Sequence, residues 1–270
     1  MRSPSEFVSR YGTWALIAGG STGMGAEYAR QLARLGMKLV LAADAAHPPQ
    51  ALADELAATH KVETRAIVVD LAHDEMLAKI ASATADLEVG LLIYNAAHSV
   101  VGRFLDVSLD DKLGMIDVNC RGPLVLCDHF GRAMAQRRRG GIIVVSSLAG
   151  FQGQAMVGTY AATKAFDLVL AETLWDEFAD DGIDVLAFCP GATSTPNFLA
   201  SNPRPGRFSA PVMQPAETVT EALAALGSGP TAIAGRSNRL AAVVLHHLLP
   251  RRTLVRLMGR ATRSMYDKRV

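Results

Sequence analysis

The sequence predicts an α/β fold, in which a single doubly wound domain has a parallel sheet of about seven strands with helices on both faces. Short apolar runs rich in β-branched residues alternate with helical patterns, as in parallel sheets covered on both sides. A glycine-rich turn follows the first apolar run. No break in composition divides the 270 residues, so we expect one domain, with its core at about 11–234.

The predicted elements follow one another closely along the chain. Predicted strands cover residues 14–18, 38–43, 62–69, 90–95, 141–147, 184–189 and 229–234. Predicted helices cover residues 23–35, 48–60, 74–85, 109–117, 118–137, 159–179 and 215–226. Prolines interrupt residues 196–214, which predicts an irregular segment. We expect this segment to be a substrate-binding loop. Residues 236–270 form a predicted helical tail with a break near Pro250.

The composition is that of a folded enzyme. Hydrophobic residues make up 50% of the sequence and charged residues 20%. Residues 3–6 lack the apolar core of a signal peptide, and no run approaches the roughly 20 apolar residues of a membrane-spanning helix. The three cysteines and seven histidines show no metal-ligand spacing, so we expect reduced thiols, no metal and a cytoplasmic location. We also expect no nucleic-acid partner.

Charge is distributed unevenly between the tail and the rest of the chain. From Arg236 onward there are nine basic residues and one acidic residue, which leaves 18 basic and 25 acidic residues before it. Arginines are interspersed there with leucines and valines, and this basic amphipathic pattern suits either a membrane surface or a helix packed on the domain or a second subunit. We favour packing and keep peripheral membrane contact as the alternative.

The glycine-rich turn lies between the first predicted strand and the first predicted helix. Its glycines permit a tight turn and let the main chain approach a pyrophosphate at a helix N-terminus. This position favours a Rossmann-like dinucleotide site over a plain turn. The residues expected to contact the dinucleotide here are Gly19, Ser21, Thr22, Gly23, Met24 and Gly25.

A second group of residues has the spacing of a proton-handling site. Ser147 ends the fifth predicted strand, Tyr160 and Lys164 lie one turn apart on the next helix, and Asn119 lies on the preceding helix. Because the ordinary pKa of tyrosine is about 10, a tyrosine that moves protons near neutrality needs an ammonium nearby to favour its phenolate. Ser147 can hold a substrate oxygen, whereas strand alternation turns its neighbour Ser146 to the opposite face. This geometry suits interconversion of an alcohol and a carbonyl.

Together these motifs resemble those of the short-chain dehydrogenase/reductase family. The resemblance covers about residues 11–227. Ala18 stands where the family's glycine pattern usually begins with Thr, and residues 94–97 read Tyr-Asn-Ala-Ala where the family has Asn-Asn-Ala-Gly. Residues 11–15 and 36–41 look like the steroid-dehydrogenase and long-chain 3-oxoacyl-reductase branch.

The resemblance implies a role for each polar residue at the strand ends. Tyr160 would be the general base for alcohol oxidation or the acid for carbonyl reduction, supported by Lys164, which would also hold the ribose. Ser147 would position the substrate oxygen, and Asn119 would hold a water that links Lys164 to solvent, provided that its backbone leaves the regular helix. Asp70 would meet the adenine. The remaining implied cofactor contacts are Leu71, Asn95, Ala96, Pro190, Gly191, Thr193 and Thr195.

The residue that follows the second predicted strand favours one cofactor over another. Asp44 lies about 20 residues past the glycines, where an acid selects the ribose 2′-hydroxyl. Residues 42–46 contain no basic side chain that would pair with a 2′-phosphate. We therefore predict NAD rather than NADP.

The substrate is predicted from the apolar residues beside these motifs. Residues 151–157 and 196–213 supply candidate walls, namely Phe151, Met156, Val157, Phe198, Leu199, Phe208, Val212 and Met213. An apolar pocket favours a lipophilic secondary alcohol or ketone. The alternatives are an NADPH-dependent 3-oxoacyl reductase and a catalytically silent dinucleotide-sensing module. By resemblance we expect a homodimer or homotetramer assembled through the helices at 118–137 and 159–179.

Overall fold

Seven parallel strands form one sheet in the order β3-β2-β1-β4-β5-β6-β7. This is seen in a computed structural model, which describes residues 3–204 and 211–266. The strands are β1 Trp14–Ala18, β2 Lys38–Ala43, β3 Thr64–Val68, β4 Val89–Tyr94, β5 Gly140–Val145, β6 Ile183–Cys189 and β7 Thr231–Ile233. The fold class predicted from the sequence, a single doubly wound domain, is confirmed.

The described helices connect the strands and extend beyond them. They are α1 Pro4–Tyr11, α2 Gly23–Arg34, α3 Gln50–His60, α4 Met76–Thr84, α5 Leu109–Ile116, α6 Gly122–Arg137, α7 Gly158–Glu177, α8 Pro196–Ala200, α9 Pro215–Ala225, α10 Arg236–Leu248 and α11 Arg251–Tyr266. A π-helical segment, Asp117–Arg121, joins α5 to α6, and a 3₁₀ helix, Leu148–Phe151, follows β5.

Two apolar cores lie on opposite faces of the sheet. Along β1, Ala15 and Ile17 belong to the core under α2 and α9, whereas Leu16 and Ala18 belong to the core under α6 and α7. This alternation is what a strand buried on both faces requires, because successive side chains point to opposite sides. The strand order reverses between β1 and β4, so their carboxyl ends open the crevice in which doubly wound sheets bind ligands.

The N-terminal residues form a helix that the sequence interpretation did not include. Ser3 and Glu6 make a capping box at the start of α1. Phe7 and Tyr11 are buried in the core, and the Tyr11 hydroxyl donates to Asp184 Oδ2 at 2.8 Å. Helix α1 therefore packs on the amino-terminal edge of the sheet, away from the crevice.

The C-terminal tail consists of two helices that meet at Pro250, where the sequence predicts a break. Leu254 of α11 is buried, and Arg251 donates to the main-chain oxygen of Phe151 at 2.8 Å. Helix α11 thus packs over the segment after β5, as the preferred interpretation of the tail predicts. In the described part of the chain, no helix is both long enough and apolar enough to span a bilayer.

Two sequence predictions extend beyond the described residues. Residues 205–210, with Phe208, and residues 267–270 lie outside the described part of the chain. The remainder of the predicted irregular segment contains the short helix α8, which Thr195 caps by accepting a hydrogen bond from Phe198 N.

Candidate active site

The glycine turn after β1 forms a cradle that no larger residue would fit. A Cβ atom at Gly25 would lie 1.8 Å from the main-chain oxygen of Gly19, and one at Gly19 would lie 2.7 Å from the backbone of Ala96. Gly19 also has a φ of +76°, which favours glycine. The close approach of the turn, α2 and β4 leaves main-chain N–H groups at the helix N-terminus for an anion. The cradle therefore fits the dinucleotide predicted from the sequence.

The end of β4 is tied to the glycine turn by main-chain and amide contacts. The main-chain oxygen of Ala18 accepts hydrogen bonds from the N–H groups of Asn95 and Ala96, at 3.0 and 2.9 Å. The Asn95 side chain donates to the Gly19 oxygen at 2.9 Å. This brace needs no side-chain oxygen at position 18, so it forms with alanine where the family usually has threonine.

The segment after β6 reaches the same turn from the other side. A Cβ at Gly23 would lie 3.2 Å from the side chain of Thr195, and Pro190 accepts a hydrogen bond from Leu148 N at 3.0 Å. Thr193 is buried, and its hydroxyl donates to the Gly191 oxygen at 3.2 Å. The predicted residues Gly191, Thr193 and Thr195 therefore line the crevice between the glycine turn and the end of β5.

Two adjacent serines at the end of β5 have different environments. Ser146 is buried, and its hydroxyl donates to the main-chain oxygen of Lys164 at 2.6 Å. Ser147 is half-buried, and its oxygen accepts from Ala149 N at 3.1 Å at the start of the 3₁₀ helix. No acceptor for the Ser147 hydrogen is found among the described residues, so that hydrogen can be donated to a substrate oxygen. The Ser146 hydroxyl, by contrast, already donates its hydrogen within the protein.

Asn119 lies in the π-helical segment between α5 and α6, where the backbone leaves the regular α-helical pattern. Its buried side chain accepts from His98 N at 2.7 Å and donates to the His98 oxygen at 2.9 Å and to the Thr163 hydroxyl at 2.9 Å. Asn119 thus joins the loop after β4 to α7 one residue before Lys164. The contacts to His98 and Thr163 did not follow from the sequence.

Lys164 points from α7 towards the end of β5. Its Nζ donates to the main-chain oxygen of Val145 at 2.8 Å and to Asp167 Oδ2 at 2.9 Å, and it lies 5.9 Å from the centroid of the Tyr160 ring. Burial lowers the pKa of Lys164, but Asp167 and Tyr160 raise it by more, so the net pKa is above its ordinary value. The side chain therefore carries a positive charge beside the half-buried Tyr160 ring.

The similarity to known proteins extends over most of the chain. Residues 13–205 match the family model described as short chain dehydrogenase. The 7β-hydroxysteroid dehydrogenase of Collinsella aerofaciens is 31% identical over 233 residues, covering 85% of this chain and 89% of its own.

The chain belongs to the short-chain dehydrogenase/reductase family.

Solved structures of the family share its architecture. A structure of a 7β-hydroxysteroid dehydrogenase superposes with a TM-score of 0.86 at 29% identity, covering 94% of this chain and 99% of that one. A short-chain dehydrogenase from Sphingobium yanoikuyae in complex with NADPH has a TM-score of 0.75 at 28% identity, covering 87% of this chain and 93% of that one. The chain is an oxidoreductase of this family that acts on CH–OH groups. Within the family it lies near the steroid-dehydrogenase branch, as the sequence indicated.

Two acids predicted to contact the dinucleotide of this dehydrogenase lie at the rim of the crevice. Asp44 follows β2 and is 56% exposed, and its Oδ1 accepts from His47 N at 2.8 Å and lies 3.3 Å from His47 Nδ1. Asp70 follows β3 and accepts from Ala72 N at 2.9 Å. Leu71 beside it is buried. Both side chains are more than half exposed, so a ribose hydroxyl or an adenine amine could approach them.

The structure also shows a charged residue at the site that the sequence analysis missed. Asp167 is fully buried and contacts Lys164. The signal available in the sequence was an acid three residues after Lys164, about one turn along the same helix. Among the described residues, no cluster of histidine, cysteine or acidic side chains could hold a metal ion.

Proposed function

We propose that the chain is an NAD-dependent dehydrogenase that interconverts a lipophilic secondary alcohol and its ketone, with Tyr160, Lys164, Ser147 and Asn119 in the roles predicted from the sequence. The observation that carries the proposal is the position of Lys164. Its ammonium is fixed at the carboxyl end of β5, beside the Tyr160 ring. A helix with a purely structural role does not require a buried, charged lysine in that place. Beside a tyrosine that exchanges protons, the same charge favours the phenolate.

Each of the four side chains would have a separate role in the reaction. Bound NAD supplies the acceptor for the hydride of the alcohol. Ser147 donates its hydroxyl hydrogen to the substrate oxygen and fixes its position. Tyr160 removes the hydroxyl proton during oxidation and returns it during reduction. Lys164 favours the phenolate through its charge, and Asn119 holds the water that connects Lys164 with solvent.

NAD is proposed because of the carboxylate that follows β2. Asp44 would accept from a ribose 2′-hydroxyl and repel a 2′-phosphate. The relative from Sphingobium yanoikuyae was solved with NADPH, so an NADPH-dependent reductase, including the 3-oxoacyl reductase, is the alternative. His47, beside Asp44, is the side chain in this loop that could pair with a 2′-phosphate.

A hydroxysteroid is the substrate class that we propose. Two of the relatives named above are 7β-hydroxysteroid dehydrogenases. After β5, Phe151 is partly exposed, whereas Val157 is buried in the core. Leu199 and Val212, which follow β6, are 59% and 48% exposed, and a lipophilic ligand would cover them.

The experiment that tests the function is a dehydrogenase assay with NAD and NADP in parallel, across steroid, acyl and aliphatic alcohols. We expect steroid oxidation with NAD. Tyr160→Phe should lower turnover by about 10²–10⁴-fold while NAD binding, measured by calorimetry, is unchanged. Turnover that survives this substitution would contradict the assignment, and NAD binding without turnover on any substrate would favour the silent sensing module.

We propose assembly through the outer faces of α6 and α7. Of the apolar residues considered there, Leu126 and Phe130 are buried in the core, whereas Leu124 is 47% exposed and Phe166 37% exposed. Val169, on the same face of α7 as Phe166, is 61% exposed. Sedimentation of Val169→Glu against the unmodified chain tests this, since the charge should shift a dimer or tetramer towards monomer.

Peripheral membrane contact is the alternative role for α10, which exposes Leu240 and Leu248. Flotation with anionic liposomes tests it, with intact protein compared with a chain that ends before Arg236. Equal flotation of the two would remove the membrane role.

A further inference from the structure

A buried acid lies directly behind the site. Among the described residues, Lys164 and Asp167 are the two charged side chains that the fold buries, at 1% and 0% exposure. Burying an isolated charge is costly, so a buried pair needs close contact to persist. The contact is present, with 2.9 Å between Lys164 Nζ and Asp167 Oδ2. The other oxygen, Oδ1, has no hydrogen-bond partner among the described residues.

Apart from Tyr160, which interacts with Lys164, the titratable groups that face this pair are neutral near pH 7. Four face it from β4, the π-helical segment, α6 and β6, namely Tyr94, Cys120, Cys127 and Cys189. Burial raises the pKa of the Tyr94 phenol, and it raises the pKa of Cys120 to about 11 and that of Cys127 and Cys189 to about 12. All four are therefore neutral near pH 7. Arg121, which faces Tyr94, pairs at the surface with Asp74 and Asp117.

We propose that Asp167 is a positioning residue for the reaction, whose carboxylate keeps Lys164 protonated inside the apolar core and holds its ammonium at the end of β5 beside Tyr160. Burial without a carboxylate lowers the pKa of an ammonium, so the group loses its proton at a lower pH, and a neutral amine would not favour the phenolate of Tyr160. Asp167 touches neither substrate nor cofactor in this scheme and acts through Lys164. The inference rests on the proposed roles of Tyr160 and Lys164.

Each partner of the pair is held from a separate direction. Lys164 has a second acceptor in the Val145 oxygen, and Ser146 holds its main-chain oxygen. Asp167 lies one turn later on α7, so helix geometry brings its carboxylate to the ammonium. Burial raises the pKa of Asp167, and Lys164 opposes that rise. The two groups therefore stabilise each other's charged form.

The direct test follows the side-chain nitrogen of Lys164 by NMR in full-length protein with isotopically labelled lysine. The chain has six lysines, and Lys164→Met assigns the signal. In the unmodified protein we expect Lys164 to keep its proton up to a pH at least as high as that at which the exposed lysines lose theirs. In Asp167→Asn it should lose the proton at a pH lower by about one unit or more. Equal titration in the two proteins would overturn the proposal.

Two matched variants separate positioning from folding. Asp176→Asn removes an exposed carboxylate from the same helix and should leave the Lys164 titration unchanged. Asp167→Glu keeps the carboxylate and should restore it. A purely structural Asp167 would lower the melting temperature of Asp167→Asn without moving the Lys164 titration, and that result overturns the proposal. If Asp167→Asn does not fold, the unmodified protein decides, because loss of the Lys164 proton below the pH of the exposed lysines also overturns it.

The kinetic readout is the pH profile of NAD reduction with the alcohol that the assay identifies. For Asp167→Asn, kcat should fall on the alkaline side at the pH at which Lys164 loses its proton. A profile of unchanged shape would contradict the proposal. Failure of the proposed function is distinguishable, because it would appear as turnover by Tyr160→Phe, whereas the NMR titration of Lys164 does not depend on turnover.

Discussion

The Ser146 hydroxyl donates a hydrogen bond of 2.6 Å to the main-chain oxygen of Lys164. The bond ties the end of β5 to α7 at the lysine of the site. Gly150 approaches the same oxygen closely, since a Cβ there would lie 2.6 Å from it. The position of Lys164 is therefore set by its main chain as well as by the acceptors of its ammonium.

Substitution of the two adjacent serines should separate stability from catalysis. Ser146→Ala removes a buried hydrogen bond, so we expect the free energy of unfolding to fall by about 1 kcal/mol. Ser147→Ala removes the donor to the substrate oxygen, so we expect kcat to fall by about 10²–10³-fold with little change in stability. Urea unfolding and steady-state kinetics measure the two effects. The roles would be wrong if Ser146→Ala were the variant with the larger loss of kcat.

The glycine cradle predicts a loss of cofactor binding on a minimal substitution. In Gly25→Ala the new methyl group meets the Gly19 oxygen, and the turn must shift to relieve the overlap. An overpacking cost of about 1–3 kcal/mol corresponds to NAD binding that is about 5–150-fold weaker. Calorimetric titration with NAD measures it. Gly229→Ala is the control, because a Cβ at Gly229 meets nothing within 4 Å, and equal binding by both variants would argue against a dinucleotide in the cradle.

Cofactor choice should depend on the carboxylate after β2. Asp44→Ala removes the charge that repels a 2′-phosphate, so the ratio of kcat/KM for NADP to that for NAD should rise about tenfold. His47→Ala is the companion variant, since His47 contacts Asp44. A fall in NADP activity in His47→Ala, with no gain in Asp44→Ala, would favour the NADPH-dependent alternative.

The strands and the site motifs could be predicted because each depends on local sequence. The apolar runs before Ser147 and before the glycine turn become β5 and β1, and the spacing from Tyr160 to Lys164 is one helical turn in the structure. What could not be predicted depends on contacts between distant segments. The π-helical segment around Asn119 is held by His98 and Thr163, from a loop and a helix on either side of it.

The N-terminal helix also depends on contacts between distant segments. Helix α1 has a clear local start at Ser3, yet its place on the sheet depends on Tyr11 meeting Asp184, which is 173 residues away.

Asp167 was visible in the sequence as an acid near Lys164. Its complete burial, which makes it more than a solvated helix position, follows only from the packing of α7 on the sheet.

A buried tyrosine on α2 should limit stability at alkaline pH. The Tyr28 hydroxyl is buried without a hydrogen-bond partner among the described residues, and burial raises the pKa of this phenol well above its ordinary value. The native state therefore keeps the proton that the unfolded state loses above about pH 10, so this contribution to stability decreases as pH rises beyond that value. Tyr28→Phe removes both the unpaired hydroxyl and the titrating group. We expect it to raise the free energy of unfolding by about 1 kcal/mol near pH 7, and to make its decline between about pH 10 and pH 11 shallower.

Tyr94→Phe is the matched comparison for Tyr28→Phe, because it differs in one respect. The Tyr94 hydroxyl is also buried, but it donates to the main-chain oxygen of Val118 at 2.5 Å. Its removal leaves that oxygen without the bond, so Tyr94→Phe should lower the free energy of unfolding near pH 7 by about 1 kcal/mol. Urea unfolding of both variants over the same pH series measures the difference. A loss of stability in Tyr28→Phe equal to that in Tyr94→Phe would mean that the Tyr28 hydroxyl is satisfied in solution, for instance by a buried water.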